Sequence, residues 1–397
     1  MKLDGIVFVH DDPSMWTYGA GRVVVSLARS IPVLLVYPLG VRALVRGRNR
    51  LALSRALWRE GIGSGLDRVG DASLMRVPML PLASRFHLLS HANTAWLAAR
   101  IRRAVARLRW QRFALWLTFP AFGSLIGRIG EAMCVYHAVD DYCTFPIPKA
   151  DQERTRRLEQ DILKRVDLAL GVSPPLTQQM KELGAGSRAF QLPNGTNIKG
   201  RRPRDCHRPP ELANQTGPLL CYLGSLNERV DLALLSKVML KHPEWSLVLI
   251  GDLKGGRLPL DSPQVNSLLQ LPNVHRLGPK ANTLVPDYLV WMDVCLIPYE
   301  MEFAANRFCF PYKMFDYLAA GRPVVSTPVP AVCEYAAWVR IAKGAEEFER
   351  QIIVALSEGP QEVMARLRFA AANTWDERAS DVMTLLDQAG SDSSSER

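Results

Sequence analysis

The apolar residues of this chain follow two kinds of pattern. Short continuous apolar runs predict buried strands, and stretches with apolar residues three or four positions apart predict helices. The predicted strands are Gly5–His10, Pro32–Pro38, Phe113–Phe119, Ala132–His137, Phe190–Leu192, Leu219–Leu223, Ser246–Gly251, Val274–Gly278, Asp293–Pro298 and Pro323–Thr327. Strands and helices alternate through both halves, which predicts an α/β protein of two doubly wound, Rossmann-like domains.

A break between the two halves is predicted at residues 199–216. This stretch is basic, contains proline and has few apolar residues, as expected of a linker. It follows Pro193-Asn194-Gly195, which is a strong turn signal. We therefore place one domain at 1–198 and the other at 217–374. The chain ends in a Ser-rich polar segment, 391–397, for which we expect a disordered tail.

The stretch Asn306–Thr327 carries the most specific signal. Its pattern predicts a loop, a helix with Pro311 in its first turn and Gly321 just past its end, and then a buried strand. Lys313 and Asp316 lie three residues apart in the first helical turn. A lysine there can reach a phosphate near the free N–H groups of the helix start, and a carboxylate can accept ribose hydroxyls. The alternative is an ordinary solvated ion pair between these two side chains.

Within this stretch, P-Y-K-M-F-D-Y-L-A-A-G-R-P-V-V resembles the donor-nucleotide signature of GT-B glycosyltransferases, P-x-K-x-x-(E/D)-Y-L-A-x-G-x-P-V-V. The resemblance implies two Rossmann-like domains that face each other across a cleft, with the acceptor on the first and the donor nucleotide sugar on the second. It implies that Lys313 meets the diphosphate and that Asp316 meets the ribose. It also implies that residues 375–390 form a helix that crosses back to the first domain.

Further donor-side residues follow from the same resemblance. Strand-to-glycine junctions put flexible backbone at the carboxyl edge of the second sheet, where a diphosphate can lie close to main-chain N–H groups. The donor-binding residues predicted besides Lys313 and Asp316 are Gly224, Ser225, Arg229, Gly278, Pro279, Asn306, Pro311, Tyr312, Met314 and Asn194. An exposed residue at a helix start is the alternative interpretation of Arg229. Cys309 stands where many retaining enzymes of this fold carry a glutamate, so the donor sugar and the stereochemistry stay open, with inversion slightly favoured.

Two adjacent carboxylates, Asp140 and Asp141, follow the predicted strand Ala132–His137. Chemistry in α/β folds lies at the carboxyl ends of strands, and neighbouring carboxylates raise each other's pKa, which suits a general base. The alternative is a solvated loop pair or a helix N-cap.

The sequence Y-H-A-V-D-D-Y, followed by a charged helix and V-D-L-A-L-G-V-S, resembles the N-terminal domain of bacterial exopolysaccharide glycosyltransferases. These include the teichuronic-acid type and, more distantly, the xanthan-pathway glucuronosyltransferase. The resemblance implies that Asp140 is the base, with Asp141 as the other candidate. The acceptor-side residues that we predict are Tyr18, Gly19, Gly21 and His137.

The charge of the chain is unevenly distributed. The 397 residues carry a net charge of +10, but residues 1–130 hold 19 Lys/Arg against 6 Asp/Glu, whereas the rest hold 30 against 33. Arg42–Arg59 is rich in arginine, and His91–Arg112 has the spacing of a basic amphipathic helix. Its apolar stripe lies either in the protein core or at an anionic lipid surface. No nucleic-acid-binding motif is evident, and no apolar run reaches the roughly 18 residues of a transmembrane helix.

The seven cysteines form no C-x-x-C pair, and several lie in apolar runs, as buried free thiols do. We therefore expect a cytoplasmic protein. The charge asymmetry and the family resemblance together imply that it attaches peripherally at the inner face of the plasma membrane through its basic N-terminal domain. No Asp-x-Asp pair stands where a metal would bridge a diphosphate, so we expect neither a metal nor a cofactor.

Together these features predict hexosyl or uronosyl transfer from a nucleotide diphosphate sugar to a hydroxyl. UDP is the favoured nucleotide because it is common in the family. The predicted acceptor is a polyprenol-diphosphate-linked sugar or a glycan in bacterial surface or exopolysaccharide synthesis. The alternatives are a UDP-sugar epimerase of the same fold and a non-catalytic sugar-nucleotide-binding partner of a polysaccharide assembly complex.

Overall fold

The computed structural model describes residues 2–10, 19–39, 66–79, 87–145, 147–198, 207–215, 217–253 and 262–395. The chain divides into two compact units. The first contains Met1–Val172, Leu176–Pro193 and Arg378–Arg397, and the second contains Ser173–Pro175 and Asn194–Glu377.

The first unit is built on an eight-stranded sheet with the order β3-β4-β2-β1-β5-β6-β7-β8. Its strands are β1 (Gly5–Val9), β2 (Val33–Leu39), β3 (Asp67–Val69), β4 (Ala72–Pro78), β5 (Phe113–Leu117), β6 (Met133–Ala138), β7 (Leu168–Gly171) and β8 (Ala189–Gln191). All neighbours pair in parallel except β3 and β4, which form an antiparallel hairpin. The central strands β1 and β5 are fully buried, which explains their continuous apolar sequences.

Helices alternate with these strands. They are α1 (Ala20–Leu27), α2 (His87–Leu108), α3 (Lys149–Arg165) and α4 (Pro174–Met180), followed by a single wide helical turn (Lys181–Ala185) and short 3₁₀ turns at Pro120–Leu125 and Gly186–Arg188.

The second unit is built on a six-stranded, wholly parallel sheet with the order β11-β10-β9-β12-β13-β14. Its strands are β9 (Leu219–Leu223), β10 (Ser246–Ile250), β11 (Val274–Gly278), β12 (Val294–Ile297), β13 (Val324–Ser326) and β14 (Arg340–Ile341). The strand order reverses between β9 and β12. Ligands of open α/β sheets bind outside the carboxyl ends of the strands at such a reversal.

The helices that follow in the chain are α5 (Leu232–Lys241), α6 (Pro263–Leu269), α7 (Val285–Leu289), α8 (Lys313–Ala319), α9 (Pro330–Cys333), α10 (Gly344–Leu356), α11 (Pro360–Ala371) and α12 (Trp375–Ser395), with 3₁₀ turns at Pro210–Leu212 and Ala304–Arg307. Two of them begin at side-chain caps: Asp231 accepts a hydrogen bond from the N–H of Leu234, and Ser262 accepts one from that of Val265.

Helix α8 ends as the sequence predicts. Gly321 has a φ of 73° and donates its N–H to the carbonyl of Leu318, while Arg322 donates to the carbonyl of Tyr317. These are the two hydrogen bonds of a Schellman motif, which needs a left-handed residue at Gly321. The helix start is different from the prediction, because α8 begins at Lys313 and Pro311 lies in the preceding loop.

The apolar stripe of the basic helix α2 lies in the protein core. Its stripe of Leu97, Ile101 and Val105 is buried, while Arg102 and Arg103 are exposed. The alternative that this apolar stripe enters a lipid surface is therefore wrong, because the stripe is already covered by the unit. Arg42–Arg59 lies outside the described residues. Among the described helices, none is long and apolar enough to cross a bilayer.

The C-terminal segment also differs from expectation. Helix α12 continues through Ser395, so part of 391–397 is helical where we expect a disordered tail. The hydroxyl of Ser391 donates to the carbonyl of Asp387 at 2.7 Å, one helical turn earlier. This segment contains neither proline nor any glycine after Gly390, so nothing in the sequence forces the helix to stop.

Candidate functional site

In the second unit, Gly224 follows β9 directly at the strand-order reversal. Its N–H donates to the carbonyl of Ile250 at 2.8 Å, and its φ of 136° is one that L side chains rarely adopt. The neighbouring strand β10 is followed directly by Gly251, whose φ is 149°. A Cβ on Gly251 would lie 2.1 Å from the carbonyl oxygen of Gly224, so the two loops pack too closely for a side chain there.

Lys313 reaches this point from the first turn of α8. The side chain is only 6% exposed, and its Nζ lies 4.1 Å from the ring centroid of Tyr222 and 5.0 Å from that of Tyr299. Both are cation–π distances. Within the described residues the ammonium forms no ion pair with a carboxylate. Burial, and then the charge of Arg229, lower the pKa of Lys313 to about 7.

The approach of Lys313 depends on Gly224. A Cβ at that position would lie 2.8 Å from the Nζ of Lys313. The lysine therefore sits directly against the backbone that follows β9. A buried amine that lacks a counter-ion, beside open loop backbone, is suited to bind an anion that brings the missing charge.

Arg229 is held by Asn306. Arg229 Nε donates to Asn306 Oδ1 at 2.9 Å, and Asn306 Nδ2 donates to the carbonyls of Arg229 at 2.9 Å and Glu300 at 2.8 Å. Asn306 is fully buried, so its amide is used as a clamp for the guanidinium. Arg229 is half-buried, which contradicts the alternative that it is merely an exposed residue at a helix start.

The carboxylate of Asp316 is hydrogen-bonded to Thr196 and does not form an ion pair with Lys313. Its Oδ1 accepts a hydrogen bond from Thr196 Oγ1 at 2.6 Å. The predicted alternative, a solvated pair of Lys313 with Asp316, is therefore wrong, because Lys313 is buried between two tyrosine rings. Nearby in the chain, Asn194 is buried and donates to the carbonyl of Phe310 at 2.9 Å.

The other predicted donor residues differ in exposure. The carbonyl of Ser225 accepts from Tyr222 at 3.1 Å, and that of Gly278 accepts from Gly251 at 3.0 Å. Tyr312 is 44% exposed and stands at the N-cap position of α8, whereas Met314 is fully buried in the core. Pro279 is exposed, Pro311 is buried, and buried Cys309 directs its thiol to the carbonyl of Asn306.

In the first unit, the two adjacent carboxylates after β6 have different surroundings. Asp140 is half-buried, whereas Asp141 is fully buried. Asp141 Oδ1 accepts the N–H of Cys143 at 2.9 Å, and the Asp141 carbonyl accepts both the N–H and the hydroxyl of Thr144. Asp141 thus stabilises the turn, and Asp140 is the one of the two that solvent reaches.

Three of the four predicted acceptor-side residues, Gly19, Gly21 and His137, are among the described residues of the first unit. Gly19, with a φ of 58°, caps α1, and Gly21 is buried in its first turn. His137 is only 2% exposed, lies 5.8 Å from the ring of Trp116, and has a pKa that burial lowers to about 3. A histidine so buried is neutral and does not face an open acceptor surface. Tyr18 lies outside the described residues.

Among the described residues, one group of side chains has the composition of metal ligands. The ligand atoms of Asp141, Cys143 and Glu159 lie within 4.8 Å of one another, and all three residues are buried. The group lies within the first unit, on the turn after β6 and on α3.

Sequence reasoning missed four residues that shape these sites: Tyr222, Tyr299, Thr196 and Glu159. Tyr222 is the penultimate residue of β9 and Tyr299 follows β12, so both lie at the carboxyl edge where the resemblance puts the donor. Thr196 follows the Pro-Asn-Gly turn that we singled out. Glu159 has no distinguishing signal within a helix as charged as α3.

Comparison with known proteins finds a family match in the second half of the chain. Residues 217–358 match the family described as Glycosyl transferases group 1. The chain is also 28% identical over 232 residues to TuaH of Bacillus subtilis (strain 168), which is named as a teichuronic acid biosynthesis glycosyltransferase. That alignment covers 56% of this chain and spans only 57% of the length of TuaH.

Solved structures extend the similarity to nearly the whole chain. Anabaena Alr3699/HepE in complex with UDP and glucose matches with a TM-score of 0.70 and 13% identity, covering 97% of this chain and all of that chain. Sucrose-phosphate synthase from Thermosynechococcus elongatus matches with a TM-score of 0.66 and 14% identity, covering 97% and 98%. The chain therefore has the GT-B fold, which confirms the predicted fold class of two Rossmann-like domains.

Proposed function

We propose that this chain transfers a sugar from a UDP-sugar to a hydroxyl of a lipid-linked or glycan acceptor during synthesis of a bacterial cell-surface glycan. The group 1 domain and the similarity to TuaH support glycosyl transfer and a surface glycan. The UDP in the HepE complex supports a UDP-sugar as the donor. The single observation that carries the proposal is the buried, unpaired ammonium of Lys313.

The donor diphosphate would complete the site around Lys313. An anion placed beside Gly224 would supply the counter-charge that the buried ammonium lacks, and the clamped Arg229 guanidinium adds a second positive charge nearby. These two charges would stabilise the diphosphate as it leaves the sugar. Asp316 would bind the ribose, for which Thr196 keeps the carboxylate in place.

Asp140 would act as general base and take the proton of the attacking hydroxyl. It is the more exposed of the two carboxylates at the carboxyl end of β6. The residues proposed here for the diphosphate are both cationic, so the leaving group is stabilised without a metal. We accordingly propose a reaction that continues in the presence of EDTA.

The proposal is tested by measuring UDP release and lipid-linked product with a panel of UDP-sugars and extracted bacterial lipids. Asp140→Asn should lower turnover about 100-fold to 10,000-fold, because the base supplies that much, and should leave UDP affinity nearly unchanged. Asp151→Asn, which removes an exposed carboxylate at the start of α3, is the matched control and should be neutral. Undiminished turnover in Asp140→Asn would exclude this residue as the base.

The same panel separates the proposal from its alternatives. Conversion of a UDP-sugar without an acceptor would identify an epimerase. Tight UDP binding with no turnover on any donor and acceptor would indicate a non-catalytic binding partner. Either result would overturn the proposed transfer reaction.

We further propose that the basic face of the first unit attracts the protein to anionic membranes. The charge excess of residues 1–130 and the exposed arginines of α2 support this placement, since each such residue near the surface contributes about 1 kcal/mol. The variant with glutamate at Arg102, Arg103 and Arg107 should lose binding to anionic liposomes. The equal charge change at exposed Arg276, Arg350 and Arg368 of the second unit is the control, and equal loss in both would contradict a specific basic face.

A further inference from the structure

A buried cluster of polar groups lies next to the turn that carries Asp140. Asp141 contributes from the turn itself, Glu159 reaches in from α3, and Tyr136 comes from β6. Their side chains are 0%, 1% and 0% exposed, respectively. The cluster lies entirely within the first unit and is not used by the proposed reaction.

Within the described residues, each of the two carboxylates has one oxygen that accepts a hydrogen bond and one that has no hydrogen-bond partner. Asp141 Oδ1 accepts the N–H of Cys143, and Glu159 Oε1 accepts the hydroxyl of Tyr136 at 2.8 Å. Asp141 Oδ2 and Glu159 Oε2 are both buried without a hydrogen-bond partner. Ligand atoms of Asp141, Cys143 and Glu159 lie within 4.8 Å of one another, so the two carboxylates are close neighbours.

The cluster brings two buried carboxylates together, so burial and like charge disfavour a second ionised carboxylate there. Arg156 is the cation that faces it, with Nη2 3.8 Å from Asp141 Oδ2. The other titratable groups beside the cluster are the hydroxyls of Tyr136 and Tyr142 and the thiol of Cys143, and burial raises the pKa of Tyr136 and of Cys143. Burial, and to a lesser extent the charge of Asp141, raise the pKa of Glu159 to about 7, against the effect of the Tyr136 hydrogen bond.

We propose that Asp141 and Glu159 share one proton, and that this acid–carboxylate pair holds the turn that presents Asp140. A single proton donated by Glu159 to Asp141 would satisfy both free oxygens and leave one negative charge to face Arg156. The bonds from Cys143 and Thr144 to Asp141 link the pair directly to the turn. Asp141 and Glu159 are thus positioning residues, a role that rests on the proposed function of Asp140 as base.

The first test is infrared spectroscopy of the full-length protein. A protonated carboxylic acid has a C=O band distinct from that of a carboxylate, so the difference spectrum between wild type and Glu159→Gln at pH 6 should show one such band lost. Glu153→Gln, which removes an exposed carboxylate from the same helix, should leave the band in place. A wild type without this band, or one that co-purifies with a stoichiometric metal lost in Glu159→Gln, would overturn the shared proton.

The second test is the pH profile of turnover. In wild type, turnover should fall above the pKa of Glu159, because a second buried charge then destabilises the turn. Glu159→Gln mimics the protonated acid and should keep most of the neutral turnover while losing this alkaline decline. Asp141→Ala should lower kcat about 100-fold with UDP affinity unchanged, as expected when the base moves by about 1 Å. An unchanged alkaline decline in Glu159→Gln would overturn the positioning role.

The two tests distinguish this inference from the proposed reaction. If Asp140→Asn keeps full turnover, Asp140 is not the base, yet the infrared band still decides whether the proton is shared. If Asp141→Ala unfolds, Glu159→Gln alone decides the positioning role through its pH profile.

Discussion

Because Lys313 is largely neutral in the free protein above pH 7, binding of a diphosphate should be coupled to proton uptake. A diphosphate beside the Nζ favours the charged amine and raises its pKa back towards the ordinary value of 10.5. UDP should therefore bind the protonated protein, and its apparent affinity should follow the protonated fraction of Lys313.

The magnitude follows from the pKa of about 7 in the free protein. The protonated fraction falls from about one half at pH 7 to about one per cent at pH 9, so the apparent affinity should fall about 50-fold over this range. At pH 8 each UDP should bring about 0.9 proton into the complex. UDP itself does not contribute, because the second phosphate pKa of about 6 lies below this range.

The assay is calorimetric titration with UDP at several pH values between 7 and 9, repeated at pH 8 in two buffers of different ionisation enthalpy. The difference in apparent binding enthalpy between the buffers gives the number of protons taken up. Lys313→Met should bind UDP weakly, with no proton uptake and a flat pH profile. Lys237→Met, which removes an exposed lysine from α5 of the same unit, should behave as wild type.

Three outcomes would refute this reasoning. The first is wild-type affinity that changes less than twofold between pH 7 and pH 9. The second is proton uptake that persists undiminished in Lys313→Met. The third is proton release in place of uptake, which would mean that UDP binding favours the neutral amine.

Other predictions concern groups around the two candidate sites. Gly224→Ala should weaken UDP binding at least about 10-fold, because the new Cβ meets an ammonium at 2.8 Å and φ is 136°, whereas Gly359→Ala should be tolerated. Because burial raises the pKa of Glu159 to about 7 in the folded protein, its contribution to stability is fully present below pH 4.5 and is lost as the pH rises through 7. Urea denaturation should show this loss as a fall of about 3 kcal/mol in the free energy of unfolding, and the fall should be absent in Glu159→Gln. Asn306→Leu should cost about 1–3 kcal/mol of stability in the same assay and weaken UDP binding, because Arg229 loses its clamp.

The fold was predictable because its signals are local. Buried strands of a parallel sheet are continuous apolar runs, and β9, β10 and β11 lie within a residue of their predicted bounds. The end of α8 was equally readable, because a Schellman motif needs glycine at the position of Gly321. The start of α8 was less clear, since a proline can stand at the first helical position or just before it.

The environment of the site residues was not readable, because it comes from distant parts of the chain. Lys313 is buried by two rings that belong to β9 and to the loop after β12, so its spacing to Asp316 said nothing about its partner. Likewise, adjacency of Asp140 and Asp141 could not show which one faces the interior. That depends on where α3 places Glu159, a tertiary contact without a sequence signature.

The decisive measurement is calorimetric titration of the purified chain with UDP, GDP and ADP, with and without EDTA, alongside Lys313→Ala. We predict that UDP binds in preference to GDP and ADP, that EDTA leaves the affinity unchanged, and that Lys313→Ala binds UDP only weakly while the protein remains folded. Failure of a folded wild-type protein to bind any of the three nucleotides, or full binding by Lys313→Ala, would contradict a donor site built on the second unit.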